Sequence, residues 1–158
     1  MRVLIVDDDE DMIEIFSEFL RLWGHETRTV GEATMAVVTA LAFLPEVVLL
    51  DLSMPVLDGC EIARRMRRHG SLHDTFLVAV TGHGLQRDVD RALAAGFDMH
   101  LLKPVDPQQL RALLTERPLR RAGAARVHWQ EPGATAALET EGESAGPAPD
   151  EEPARQDN

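Results

Sequence analysis

Polar side chains of a few types stand directly after short apolar runs. Apolar runs at 3–6, 47–50 and 77–80 and the short segment His100-Leu101-Leu102 are followed in order by Asp7, Asp8 and Asp9, by Asp51, by Thr81 and by Lys103. Clustered carboxylates resist ionising together unless a hard cation lies among them, and Mg²⁺ suits such a site because it binds few carboxylate oxygens and keeps several waters. A threonine and a lysine beside that ion can hold the remaining oxygens of a phosphoryl group. The pattern predicts a site where a carboxylate receives or releases phosphate with the help of Mg²⁺.

Apolar runs alternate with amphipathic segments from residue 2 to about residue 115. The runs lack polar alternation, which is typical of buried parallel strands, and the segments between them have the three- and four-residue spacings of helices. Five strand–helix units with short connections predict an α/β fold, a doubly wound five-stranded parallel sheet with helices on both faces. Ligands bind such sheets beyond the carboxyl ends of the strands, so the polar residues above are expected at one edge.

A plainer interpretation exists for each of these residues. The acids from Asp7 to Asp11 suit the first turn of a helix, where the helix dipole favours carboxylates. Asp51 and Thr81 could be ordinary turn residues, and Lys103 could be an ordinary surface lysine. The coincidence of all these types at the ends of strands of one sheet favours the site.

The composition of the whole chain restricts its class. The chain has 158 residues, a net charge of −11 and a pI of about 4.9. Nucleic acids and anionic membranes attract cationic surfaces, so we expect no nucleic-acid partner and no membrane partner. Cys60 is the only cysteine, which excludes an intramolecular disulfide and a thiolate zinc cage. Without a signal-peptide layout or an apolar run of about 20 residues, the expected location is cytoplasmic.

The composition changes near residue 117. Residues 117–158 hold five prolines, four glycines and eight acids, and they run from an Arg-rich stretch into an acidic Pro/Glu-rich end. Such a segment buries too little apolar surface to offset its ordering entropy. We therefore predict one domain over residues 1–116, a disordered tail over 117–158 and no second globular domain.

The third predicted helix is crowded with arginine. It carries Arg64, Arg65, Arg67 and Arg68, and Glu61 has the i,i+4 spacing that pairs with Arg65. We interpret this arginine cluster as a solvated face, and Cys60, at the start of the helix, as a small buried residue.

Four motifs together carry a family resemblance. They are Val-Leu-Ile-Val-Asp7-Asp8, Val-Leu-Leu-Asp51-Leu-Ser-Met-Pro55-Val-Leu-Asp58-Gly59, Ala-Val-Thr81-Gly82 and Leu-Lys103-Pro104. In this order and spacing, the chain resembles the receiver domain of bacterial two-component response regulators from residue 2 to about 115. Among receivers it looks like a stand-alone, chemotaxis-regulator-like domain without an effector. The resemblance implies a flavodoxin-like sheet of strand order 2-1-3-4-5.

The resemblance also implies a phosphoacceptor and a metal site. Asp51 would take a phosphoryl group from the phosphohistidine of a sensor histidine kinase or histidine phosphotransfer protein. Asp8, Asp51 and the backbone carbonyl of Ser53 would bind Mg²⁺, and Asp7 would orient a metal-bound water. The only catalysis would be the protein's own phosphorylation and dephosphorylation.

Further implied roles concern the response to phosphate. Lys103, preceding a cis peptide bond to Pro104, would contact the phosphoryl group, and Thr81 would move to hydrogen-bond it. That movement would change a binding face for an unknown downstream protein. His100 stands where the family usually has the aromatic switch residue, so the switch could differ here. Ser53 and His83 would tune the lifetime of the phosphate.

Two other classes are open to the same residues. A Mg²⁺-dependent phosphohydrolase resembling the haloacid-dehalogenase superfamily also uses an aspartate nucleophile, but that nucleophile follows the first strand, and such enzymes are normally longer. A flavodoxin-like cofactor carrier would need a hydroxyl- and Gly-rich phosphate loop where this chain has acids. Both alternatives fit the motifs less well than a receiver.

Overall fold

The computed structural model describes residues 1–82 and 84–116 of the chain. His83 and the predicted tail over 117–158 lie outside the described residues. Five strands and five helices alternate along the described chain, with short 3₁₀ turns at Ala33–Met35 and Gly70–Leu72. In order they are β1 (Arg2–Val6), α1 (Glu10–Leu22), β2 (Glu26–Val30), α2 (Ala36–Phe43), β3 (Val47–Asp51), α3 (Gly59–Arg68), β4 (Phe76–Thr81), α4 (Gln86–Ala95), β5 (Met99–Leu102) and α5 (Pro107–Glu116).

The strands form one parallel sheet in the order β2-β1-β3-β4-β5, which confirms the predicted fold class and strand order. Every residue of β3 and of β4 is buried, as their uninterrupted apolar sequences predict for central strands. The second strand lies at the edge, and its residues are mostly exposed until Val30, which is buried.

Helices cover both faces of the sheet. Val3 and Ile5 of β1 pack with α1 and α5, and Leu4 and Val6 pack on the opposite face with α2, α3 and α4. Successive side chains of a strand point to opposite faces, so a strand buried on both sides has to be apolar throughout. No helix in the described part of the chain is long and apolar enough to cross a bilayer.

The residues that the fourth helix buries are small. Leu85 has extended backbone just before α4 and is half exposed, because it lies outside the helical phase. The residues that α4 buries are Ala92 and Ala95. Gly96 ends the helix with a left-handed φ of 102°, a conformation that costs glycine little.

Candidate functional site

The predicted residues meet at the carboxyl edge of the sheet. Asp51 and Thr81 are the last residues of β3 and β4, Asp7 follows β1, and Lys103 follows β5. The register holds them level, because Val6 lies opposite Leu50, and Asp51 lies opposite Val80. The backbone N–H of Lys103 donates to the carbonyl oxygen of Thr81 at 2.8 Å, which joins the last two of these strand ends.

Lys103 connects the two buried carboxylates. Its Nζ atom lies 2.9 Å from Oδ2 of Asp7 and 2.9 Å from Oδ2 of Asp51, and these aspartates are only 2% and 5% exposed. The peptide bond to Pro104 is cis, as the family resemblance implied. These contacts are charge-assisted hydrogen bonds, so the ammonium holds both carboxylates in place.

Backbone N–H groups hold the other oxygen of each buried carboxylate. The N–H of Asp9 donates to Oδ1 of Asp7 at 2.9 Å, and the N–H of Ser53 donates to Oδ1 of Asp51 at 2.8 Å. Each aspartate is therefore oriented by its own following loop as well as by Lys103. Such fixed donors position reactive oxygens before any ligand arrives.

The charges of the site are unequal. Burial raises the pKa of Asp7 above its ordinary value, although the N–H of Asp9 and the Lys103 ammonium work to lower it. Burial would lower the pKa of Lys103, but hydrogen bonds to Asp7 and Asp51 outweigh it and hold that pKa above its ordinary value. Two buried carboxylates share one ammonium, so the site favours a further positive charge.

Three of these carboxylates could hold a metal ion together. Oxygen atoms of Asp7, Asp8 and Asp51 lie within 4.8 Å of one another, with Asp8 exposed to solvent and the other two buried. An all-oxygen set with one open side suits a hard divalent cation that keeps part of its water shell. The acidic cluster predicted from the sequence is thus assembled by the fold.

The helix-capping interpretation applies to Asp9 alone among the first three acids. Oδ1 of Asp9 accepts hydrogen bonds from the N–H groups of Asp11 and Met12, at 3.0 and 3.3 Å, and so caps α1. Asp7 and Asp8 instead turn toward Asp51. The same acidic run therefore supplies both a helix cap and two members of the acidic cluster, and the sequence alone did not separate these two roles.

The start of α3 packs tightly against the end of β3. Asp58 caps α3 by accepting from the N–H of Cys60 at 2.9 Å. A Cβ atom at Gly59 would lie 2.4 Å from the carbonyl oxygen of Asp51 and 2.9 Å from the Cα atom of Leu52. Glycine is needed at this position, because any side chain would collide with the end of β3.

The other predicted site residues lie nearby. Ser53 is exposed and, with Thr81, lines a small pocket of about 90 Å³ beside Asp51. His100 is partly buried on β5 opposite Ala79, two residues before the Thr81–Leu102 pair of the same ladder. His83, the third residue expected to respond to phosphate, lies outside the described residues.

The interpretation of the arginine cluster as a solvated face is wrong for Arg67. Its side chain is 14% exposed, pairs with Asp98 at 2.7 Å, and donates to the carbonyl oxygens of His73, Thr75 and Gly96 at 2.7–2.9 Å. It lies where α3 ends and the chain turns into β4 and β5, so it satisfies carbonyls that would otherwise be buried. The predicted pair of Glu61 and Arg65 does form, at 3.0 Å on the surface, and Cys60 is buried as expected.

A further polar residue at this edge was missed by sequence reasoning. Arg91 of α4 forms an ion pair with Asp58 and lines the same small pocket as Ser53 and Thr81. The two partners are 33 residues apart, and no local spacing rule connects them.

Comparisons with known proteins identify the class that this fold and site define. The model of the response regulator receiver domain matches residues 3–115. The chain therefore belongs to the response regulator receiver domain family, rather than to the phosphohydrolases or flavin carriers that share some of its motifs.

Individual relatives agree with this assignment. The DNA-binding response regulator MtrA of Mycobacterium tuberculosis is 34% identical over 116 residues, which cover 73% of this chain and 50% of MtrA. The transcriptional regulatory protein PrrA of Mycobacterium leprae is 33% identical over 140 residues, covering 89% of this chain and 59% of PrrA. This chain thus spans about half the length of the curated relatives it matches.

Solved receivers share the fold. The chemotaxis protein CheY4 of Vibrio cholerae superposes with a TM-score of 0.70 at 26% identity, over 72% of this chain and 95% of that one. The receiver domain of the sensor histidine kinase PA1611 of Pseudomonas aeruginosa superposes with a TM-score of 0.67 at 28% identity, over 72% and 93%. That structure has a magnesium ion coordinated in its active site cleft.

The relatives contradict the prediction that nucleic acid is excluded as a partner. MtrA is named a DNA-binding regulator, and it is about twice as long as the part that matches this chain. Net charge describes the average field of the residues that are counted, so an acidic receiver says nothing about what a longer protein containing one binds. The exclusion drawn from the charge of −11 is wrong.

Proposed function

We propose that Asp51 is the phosphoacceptor of this receiver and takes its phosphoryl group from the phosphohistidine of a sensor histidine kinase or phosphotransfer protein. One carboxylate oxygen of Asp51 bonds to phosphorus while the phosphorus–nitrogen bond of the phosphohistidine breaks, and the imidazole keeps the electron pair. The observation that carries this assignment is the buried Asp51 carboxylate, oriented by Ser53 on one oxygen and by Lys103 on the other.

Lys103 and the acidic residues have separate roles in this reaction. The Lys103 ammonium already lies beside the Asp51 carboxylate. It can therefore stabilise the negative charge that develops on the phosphoryl oxygens without first having to move. Asp8, Asp51 and the backbone carbonyl of Ser53 would hold Mg²⁺, and Asp7 would orient a water beside that ion. When bound, Mg²⁺ neutralises charge on the transferring phosphoryl group. The spacing of the acidic cluster supports this ligand set.

The output is a change of protein-binding surface. Thr81 ends β4 beside the pocket next to Asp51, and His100 lies two positions back on the neighbouring strand. Movement of the threonine toward the phosphoryl group would leave space that His100 can enter, which alters the surface around β5 for a downstream protein. The protein catalyses only its own phosphorylation and dephosphorylation, and family membership supports a cytoplasmic location.

Phosphorylation by acetyl phosphate and Mg²⁺ tests the assignment. Mass spectrometry is expected to show one added acid-labile phosphoryl group, lost in Asp51→Asn and retained in Asp74→Asn, a matched change at an exposed aspartate. Retained labelling of Asp51→Asn would show that another residue is the acceptor.

A further inference from the structure

An ion pair joins α3 to α4 beside the proposed phosphoacceptor. A carboxylate oxygen of Asp58 pairs with the Arg91 guanidinium, while the other carboxylate oxygen caps α3. The side chains are 55% exposed for Arg91 and 38% exposed for Asp58. Exposed pairs of this kind contribute little to stability because water and salt screen them. Arg91 can therefore leave Asp58 for a partner that binds it more strongly.

A phosphoryl group on Asp51 would be such a partner, and it would lie close to Arg91. Arg91 lines the pocket of about 90 Å³ whose other walls include Ser53 and Thr81. Ser53 donates its N–H to Asp51, and Thr81 ends the strand beside that residue, so the pocket adjoins the carboxylate that receives the phosphoryl group. Its volume is that of about three liquid water molecules, enough for polar groups to rearrange within it.

The charge of the pocket changes on phosphorylation. Asp88 is the other charged residue on its walls and pairs with Arg87 at 3.9 Å. A dianionic phosphoryl group on Asp51 would be repelled by Asp88 and by Asp58, whereas it would attract the Arg91 guanidinium on the same pocket wall. A guanidinium can donate two parallel hydrogen bonds to a phosphoryl group. The surface carboxylate of Asp58 offers Arg91 no better arrangement.

We propose that Arg91 is a second phosphoryl-binding cation, held by Asp58 in the unphosphorylated protein and transferred to the phosphoryl oxygens when Asp51 is phosphorylated. This role rests on the proposed function of Asp51. It makes Asp58 a competitor of the phosphoryl group, and it links the position of α4 to the state of the site.

If Asp58 competes with the phosphoryl group for Arg91, removing Arg91 and removing the charge of Asp58 have opposite effects on binding at Asp51. A purely structural ion pair does not predict opposite effects. Binding of beryllofluoride with Mg²⁺, measured by fluorine NMR on the full chain, reports on the phosphoryl-like state. Arg91→Ala is expected to weaken this binding about tenfold, as for a lost hydrogen bond to a charged group. Asp58→Asn keeps an N-cap acceptor but releases Arg91, and is expected to strengthen binding by about two- to fivefold.

Controls separate this role from general effects. Arg65→Ala removes a half-exposed cation that does not line the pocket and is expected to leave beryllofluoride binding unchanged. Asp58→Ser supplies another good N-cap if Asp58→Asn folds poorly. NMR signals of the Arg91 guanidinium are expected to shift on beryllofluoride addition and to stay fixed in Asp51→Asn.

The outcomes distinguish the two proposals. If Arg91→Ala and Asp58→Asn weaken binding alike, or Arg91→Ala has no effect, the pair is a structural link and the role of Arg91 is overturned while Asp51 stands. If the unaltered protein does not bind beryllofluoride, or Asp51→Asn binds it equally well, the proposed function fails and the role of Arg91 fails with it.

Discussion

A Cβ atom on Gly59 would lie 2.4 Å from the carbonyl oxygen of Asp51, so the first residue of α3 packs directly on the backbone of the proposed phosphoacceptor. Real Cβ atoms do not approach backbone oxygens this closely, and the obstructing atoms belong to the central strand β3. The helix start and the reactive residue are therefore positioned by one contact.

Gly59→Ala is expected to push α3 away from β3 and to lower the free energy of unfolding by about 1–3 kcal/mol, the usual cost of overpacking. Urea denaturation measures the change, and beryllofluoride binding shows whether Asp51 is displaced. Gly70→Ala is the matched control, because a Cβ there meets nothing within 4 Å. Equal stability of the two variants would contradict the packing argument.

Asp8→Ala is expected to abolish phosphorylation without unfolding the protein. Asp8 is the exposed member of the acidic cluster, so its removal takes away a metal ligand and some carboxylate repulsion but no buried contact. Calorimetry with Mg²⁺ is expected to show weak binding that the variant loses. Tight binding that survives the change would place the metal elsewhere.

Asp7→Asn is expected to raise the free energy of unfolding at pH 7 in the presence of a chelator. Burial raises the pKa of Asp7, so the folded protein binds the proton more tightly than the unfolded chain does, and ionised Asp7 costs stability. That cost is complete above the folded-state pKa and disappears as pH falls through it toward the ordinary aspartate value.

The stability difference between Asp7→Asn and the unaltered protein should consequently shrink as the pH is lowered from 7 toward 4. Urea denaturation at several pH values gives this difference, with Asp74→Asn at an exposed position as the control. A difference that grows toward low pH would mean that ionised Asp7 stabilises the fold.

Arg67→Ala is expected to destabilise the fold by about 3–5 kcal/mol, because it leaves the buried Asp98 carboxylate without its cation. Arg65→Ala, two positions earlier on the same helix, removes a half-exposed pair with Glu61 and should cost about 0.3–0.5 kcal/mol. Thermal and urea unfolding compare the two. Similar small losses would indicate that Arg67 is solvated after all.

A chain that ends at residue 117 is expected to take up phosphate as fast as the whole chain. The family match ends at residue 115, and the residues after it have the composition of a disordered segment. Rates of phosphorylation by acetyl phosphate provide the comparison. A loss of more than a few-fold would show that residues after 117 support the site.

The sheet and the residues at its carboxyl edge could be predicted from local patterns of apolar and polar residues. Uninterrupted apolar runs predict buried strands, and Asp7, Asp51 and Thr81 each follow such a run directly, while Lys103 follows a shorter segment that contains His100. Parallel strands bring their carboxyl ends together, so one general rule converts four local patterns into a site. These residues meet at one edge because each is positioned by the end of its own strand.

Contacts between distant segments could not be predicted from local patterns. Arg65 and Arg67 are neighbours on one helix with similar sequence surroundings, yet only Arg67 meets the carbonyls and the carboxylate that enclose it. Arg91 and Asp58, 33 residues apart, meet because α3 and α4 pack side by side on one face of the sheet. Such contacts depend on the distances between packed elements, which hydrophobic periodicity does not specify.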